Sequence, residues 1–363
     1  MSKNGSNKES IFAIYLKEFY KGWQALLGFE LSNISLEQRH ANRNIDLIGI
    51  DVKRRIPVYM EIQLTKANRS YLERIKKMVM ANQEGIIVWL ALSFDEEILK
   101  DLTNWIDNNN FHYTDFYAVS INPLAIEVLE QLNRMYKLEV YENMVQLSEI
   151  KQLLTVEYTV ENIHPLHAGR ALSFAPQFDM SRLEDVKRAM LAVLRKRIPY
   201  YLNFHYDKKM NLNDYTLTVG AGQSGLLFRC SWNNAKSLAF VELYFEKQRI
   251  DWYESFLQHK KLIQNKVHPD IQFDNRKIGV YFEPMDSLYE TFEMIAEVFE
   301  KFILFFCPYT YGKKEISYEA DHFIIKEEGK LHHQQPIMIE DVYETEDSYR
   351  IRQEELADCF LYH

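Results

Sequence analysis

At 363 residues, with 47% apolar and 14% aromatic side chains, the chain has enough apolar mass for two cores and cannot be a disordered polymer. A net charge of −9 excludes a uniformly basic nucleic-acid coat. Three scattered cysteines without a CxxC (Cys230, Cys307, Cys359) exclude a disulfide framework or zinc knuckle and fit a reducing, cytoplasmic setting. The polar start MSKNGSNKES lacks a signal peptide's apolar core, and IIVWLAL and FILFF are too short to span a bilayer, so no membrane partner is expected.

Residues 10–27 predict an amphipathic helix with Gly28 as its stop. ISLEQRH predicts a first strand, and Ala41–Asn44 a turn. Then NIDLIGI and PVYMEIQL flank the charged segment DVKRRI, the pattern of a β-hairpin. Folded about the Lys53–Arg54 midpoint, the hairpin sets Asp46 opposite Glu61, with Cβ atoms about 5 Å apart on one face. Gln63 shares that face by the two-residue period. Carboxylates face to face repel, and a divalent cation reverses the sign, so the pair is a candidate metal site. A register one residue off would leave two solvated rim carboxylates instead. Both faces of the hairpin are apolar, which calls for layers on both sides.

A helix is expected from the N-cap Asn68 to Gly85, with Leu72, Ile75 and Val79 along one stripe. Strand IIVWLAL, helix 95–108 and strand DFYAVSI complete an order αβββαβαβ. Residues 123–175 read as a short helix or loop, a strand LEVYENM and a linker around His164–Gly169. A basic helix Arg182–Arg197 follows, then strands TLTV, LLFRCSW and LAFVELYF, helix 249–266 and strand IGVYF. The last helix, 286–306, carries Phe292, Ile295, Phe299 and Ile303 at core spacing. Gly220, Gly222 and Gly225 spell GxGxxG, but a strand rather than a helix follows, so a hairpin turn is expected and no dinucleotide site.

Charge is uneven. Residues 311–363 hold six Lys/Arg against thirteen Asp/Glu, whereas residues 51–77 hold eight basic side chains against three acids. Arg39, Arg43, Lys53 and Arg69 are the expected phosphate contacts, with a solvated charged face as the alternative. The basic helix Arg182–Arg197 is a second candidate surface for DNA or assembly.

Asp46, the strand–turn–strand, Glu61-x-Gln63 and the following LTKANRSYLERIKKM together resemble the PD-(D/E)xK nuclease superfamily, in its ExQ-motif branch. Ile45 stands where that name has proline. The likeness covers residues 10–122; a weaker one, to an uncharacterised domain often fused to such nucleases, continues to about 310. The resemblance implies an α/β fold with a restriction-endonuclease-like αβββαβ core, a mixed sheet flanked by helices, followed by an α+β C-terminal domain. The expected divisions are 1–125 for the nuclease-like domain, 126–175 for a connector, 176–310 for the α+β domain and 311–363 for an acidic tail. It further implies Asp46 and Glu61 as ligands of Mg²⁺ (or Mn²⁺), helped by the Ile62 carbonyl, with Gln63 in the place of the family's lysine. Lys66 is expected to restore the missing charge, and Glu37 and Glu18 to be outer carboxylates. The implied activity is metal-dependent cleavage of double-stranded DNA, in bacterial restriction or phage defence, by a protein that could act as a homodimer. The alternative is an inactive nuclease fold that binds nucleic acid or a partner. A third reading makes the C-terminal domain a ligand sensor for the nuclease.

Overall fold

The computed structural model describes residues 7–40, 43–81, 84–109, 111, 113–162, 178–205 and 214–312, with 37–40 and 43–44 as backbone only. The linker around His164–Gly169, the tail from 313 and part of the 41–44 turn lie outside the described residues.

The first predicted helix is two, α1 (Lys8–Glu18) and α2 (Tyr20–Leu27), broken at Phe19. Ile11 to Leu16 are six consecutive buried residues, so α1 is enclosed all round, whereas α2 buries only Trp23 and Leu27. The break frees carbonyls at the end of α1, and the Trp23 indole donates to one of them, Leu16 O, at 2.9 Å. Gly28 ends α2 in the left-handed region at φ 73°, as expected of a helix stop.

Strands β1 (Leu31–His40), β2 (Arg43–Asp51) and β3 (Ile56–Gln63) form an antiparallel meander. Leu47 pairs with Met60 and Ile48 with Tyr59, which is the register expected from the sequence. After α3 (Arg69–Ala81), β4 (Gly85–Ala91) runs parallel to β3. Asn68 caps α3, its side chain accepting from the Tyr71 N–H at 3.2 Å. Gly85 starts β4 at φ 138°, where a Cβ would come within 2.7 Å of Pro57 O, so only glycine fits. Then come α4 (Glu96–Asn108) and the parallel β5 (Thr114–Ile121).

The sheet does not stop there. α5 (Leu124–Arg134), α6 (Val140–Asn143) and β6 (Leu154–Val160) follow, and β6 pairs antiparallel with β5 as the sixth strand. Residues 126–160 are therefore part of this layer rather than a connector. LEVYENM, expected as a strand, is helical instead: Val140, Met144 and Leu147 bury at helical spacing. The fold is α/β, a mixed six-stranded sheet flanked by helices. One face packs Met60, Ile62, Val88 and Val119 against α1 and α5. The other packs Tyr59, Ile87, Trp89 and Phe116 against α3 and α4.

A second, wholly antiparallel sheet has the order β10-β11-β9-β8-β7. Its strands are β7 (Leu217–Gly220), β8 (Leu226–Ser231), β9 (Ala239–Phe245), β10 (Gln272–Asp274) and β11 (Lys277–Phe282). The basic helix is α7 (Leu183–Arg197). The helix expected over 249–266 splits at His259 into α8 (Ile250–Gln258) and α9 (Lys260–Lys266). α10 (Leu288–Thr310) opens with a capping box of Ser287 and Glu290, and Phe292, Ile295, Phe299 and Ile303 are fully buried, as expected. Gly222 and Gly225, at φ 105° and 84°, make the β7–β8 turn, which leaves the GxGxxG run no helix to open. Among the described residues no helix is long and apolar enough to cross a membrane.

Candidate functional site

The hairpin register brings Asp46 and Glu61 to the same end of neighbouring strands. The β2–β3 ladder ends at Leu47 and Met60, and beyond it the half-buried Asp46 carboxylate accepts the Ile62 N–H at 2.9 Å. In a strand the N–H and C=O of one residue leave the backbone on the same side. The Ile62 carbonyl thus faces the same side as the Asp46 carboxylate. Two carboxylates and one carbonyl are a donor set suited to a hard, oxygen-seeking cation. Among the described residues no group of three or more His, Cys, Asp or Glu side chains gathers in a metal-binding arrangement, so the third oxygen would be the backbone's.

Glu61 is nearly buried, with 4% of its side chain exposed, and it is ion-paired with the half-exposed Arg74 of α3. The Arg74 guanidinium lies 4.7 Å from the centre of the Tyr71 ring. The Tyr71 phenol is pushed up by burial first, then by Glu9 of α1 and by Glu61 and Asp46, against the opposing pull of Arg74. Four charged side chains therefore act on one hydroxyl. Arg74 and Tyr71 were not singled out from the sequence, although their three-residue spacing on α3 sets them on one face.

Gln63 is 1% exposed, and its amide is committed to the protein. Its NH₂ donates to Thr65 Oγ1 at 2.9 Å and to the Lys66 carbonyl at 2.6 Å, and its oxygen accepts the Trp89 indole N–H at 3.3 Å. Lys66 pairs with Asp95 at 2.7 Å, both about half exposed. Glu18 bonds to Lys17 and Tyr141; burial would raise its carboxyl, but Lys17, His205 and the Tyr141 hydroxyl outweigh that and hold it low.

For Glu37, Arg39 and Arg43 the backbone alone is described. The β1–β2 ladder pairs Leu36 with Leu47 and Gln38 with Ile45, so the Glu37 position lies across from Asp46; Arg39 pairs with Asn44 and His40 with Arg43. Exposed Arg69 opens α3. Lys53 is not part of this cluster: it sits in the β2–β3 turn, beyond the end of β2 that lies five residues, or about 17 Å, along the strand from Asp46.

The same turn holds a second constellation. Arg54 donates to Asp115 Oδ2 at 2.6 Å and lies 3.5 Å from Asp51 Oδ2, and both acids are fully buried. Asp115 also accepts the Asn162 N–H at 2.8 Å. Arg54 thus bolts the hairpin turn to the start of β5, a structural duty rather than a phosphate contact.

Comparison of the chain with family models, with curated proteins and with solved structures returns no match.

Proposed function

We propose that this chain is a metal-dependent nuclease of restriction-endonuclease-like architecture, with Asp46 and Glu61 as the carboxylates of its centre and double-stranded DNA as its substrate. The carrying observation is the hydrogen bond from the Ile62 N–H to Asp46 at the end of the β2–β3 ladder, beside Glu61. It sets the Asp46 carboxylate at the edge of β3 next to Glu61, where Mg²⁺ or Mn²⁺ would be held by Asp46, Glu61 and the Ile62 carbonyl. A cation there would polarise a phosphoryl oxygen and acidify an attacking water. Exposed Arg69, at the start of α3, is available to a phosphate backbone. In the reaction, water adds to phosphorus as one P–O ester bond breaks, leaving a phosphate monoester and a hydroxyl.

The second reading, a nuclease fold that binds without cutting, is favoured by a specific observation. Arg74 occupies Glu61, and both amide hydrogens of Gln63 are donated within the protein, leaving none for a phosphate oxygen. Incubation of the purified chain with plasmid DNA, with and without Mg²⁺ or Mn²⁺, separates the two. Cleavage that needs the metal and is abolished by Asp46→Asn and by Glu61→Ala supports the nuclease. DNA retention without cleavage at any metal concentration supports the binding module.

A further inference from the structure

On the second sheet, Val241, Leu243 and Phe245 of β9 are buried on one face, and Phe228 of β8 meets Phe299 of α10 at 5.6 Å between ring centres. The opposite face carries Glu242, 1% exposed and with no apolar reason to be there. Glu242 lines a cavity of about 450 Å³ together with Tyr215, Arg229, Asn233, Lys277 and Tyr281. Its Oε2 accepts the Tyr281 hydroxyl at 2.7 Å and lies 3.9 Å from Lys277 Nζ. Arg229 Nε is 3.2 Å from Oε1 but off the hydrogen-bond direction, and that buried oxygen has no hydrogen-bond partner among the described residues.

The arrangement is built rather than incidental. Gly279 lies across the ladder from Glu242, and a Cβ there would come within 2.9 Å of the Glu242 Cβ and 3.0 Å of the Tyr281 ring. The Arg229 guanidinium rests on Tyr244 at 4.9 Å and turns its Nε edge to Glu242. Its terminal amines make no hydrogen bond to any described residue, so the fork that suits a phosphate or carboxylate is left over. Among the described residues, the charged side chains that line the cavity are two cations and one carboxylate, with Asp274 of β10 as a further acid across from Lys277. The volume is several times that of a phosphate and lies in the range of small-molecule sites. Tyr215, 54% exposed, adds an open aromatic ring to the wall.

We propose that this face binds a phosphate ester bearing a planar ring, that is, a nucleotide, either free or as one unit of a single strand. The phosphate rests on Arg229 and Lys277, which Glu242 positions, and the ring stacks on Tyr215. The site is separate from the Asp46–Glu61 pair and does not depend on it.

Calorimetric titration of the full chain with adenosine 5′-monophosphate, adenosine, inorganic phosphate and a short 5′-phosphorylated single-stranded oligonucleotide tests this. Binding of the monophosphate marks a free-nucleotide site, and binding of the oligonucleotide alone marks a strand site. In either case adenosine and phosphate bind at least roughly ten-fold more weakly, and Arg229→Gln and Lys277→Gln each weaken binding by roughly ten-fold or more. Lys277, 36% exposed, can be replaced without burying a new group, so its variant carries the test if Arg229→Gln fails to fold. The proposal is overturned if neither nucleotide probe binds, if phosphate alone binds as tightly, or if folded Lys277→Gln binds like wild type.

Discussion

Arg74 reaches from α3 to form an ion pair with Glu61 of β3, the carboxylate that a cation in the proposed centre would also claim. The two cations compete for one acid, so removing the arginine should favour the metal. Arg74→Ala is expected to raise Mn²⁺ or Mg²⁺ affinity by roughly three- to ten-fold, since Arg74, half exposed, is screened by solvent and its hold on the nearly buried Glu61 is worth about 1 kcal/mol. Asp46→Asn should abolish the site in the same titration. Equal metal binding by wild type, Arg74→Ala and Asp46→Asn would remove the carboxylate pair from consideration.

Gln63 is expected to matter to stability before it matters to chemistry. Gln63→Ala leaves the fully buried Trp89 indole without its acceptor and removes the amide's bonds to Thr65 and Lys66, at a cost of roughly 1–3 kcal/mol. Gln63→Lys places a charge at a 1%-exposed position and should destabilise by at least as much. Urea unfolding midpoints check both; unchanged midpoints would mean that the amide network carries no weight.

Arg54→Met should be among the most damaging single changes in the first sheet, about 3–5 kcal/mol, because Asp51 and Asp115 stay buried without their shared cation. Arg54→Met combined with Asp115→Asn should recover part of that loss. A double-mutant cycle by urea unfolding measures the coupling, and additivity of the two changes would contradict the clamp.

His205 supplies a pH dependence. Burial, then Lys17 and Arg195, depress it to about 4, against the opposing effects of Glu18 and the Pro199 carbonyl. Its Nε2 lies 3.1 Å from Pro199 O, which fits a neutral ring donating that proton. The folded value is below the ordinary 6.5, so the unfolded chain takes up the proton first as pH falls. Stability is whole above pH 6.5 and declines towards pH 4, by roughly 3 kcal/mol in total. His205→Gln should flatten this decline; an unchanged slope would assign it to other groups.

The hairpin register was legible because two apolar runs flank one short charged turn, whose midpoint fixes the pairing, and Asn68 and the α10 aromatics declare themselves by position alone. What escaped depends on residues distant in sequence. Arg54 looks like surface charge until β5 sets Asp115 beside it. Gln63 looks like a free motif residue until the parallel β3–β4 pairing delivers Trp89. LEVYENM has a strand-like composition, and only the helical spacing of Val140, Met144 and Leu147 overrides it. β6 was hidden because LTVEYTV alternates like any edge strand and its partner, β5, lies more than thirty residues upstream.

That sixth strand has a consequence during synthesis. Until residue 160 has left the ribosome, β5 carries Phe116, Tyr117 and Val119 on an unpaired backbone edge, a template for another chain's strand. A nascent or proteolysed chain ending near residue 125 would present that edge permanently. A chain cut between β5 and β6 therefore keeps five strands of the sheet and loses the one that covers this edge.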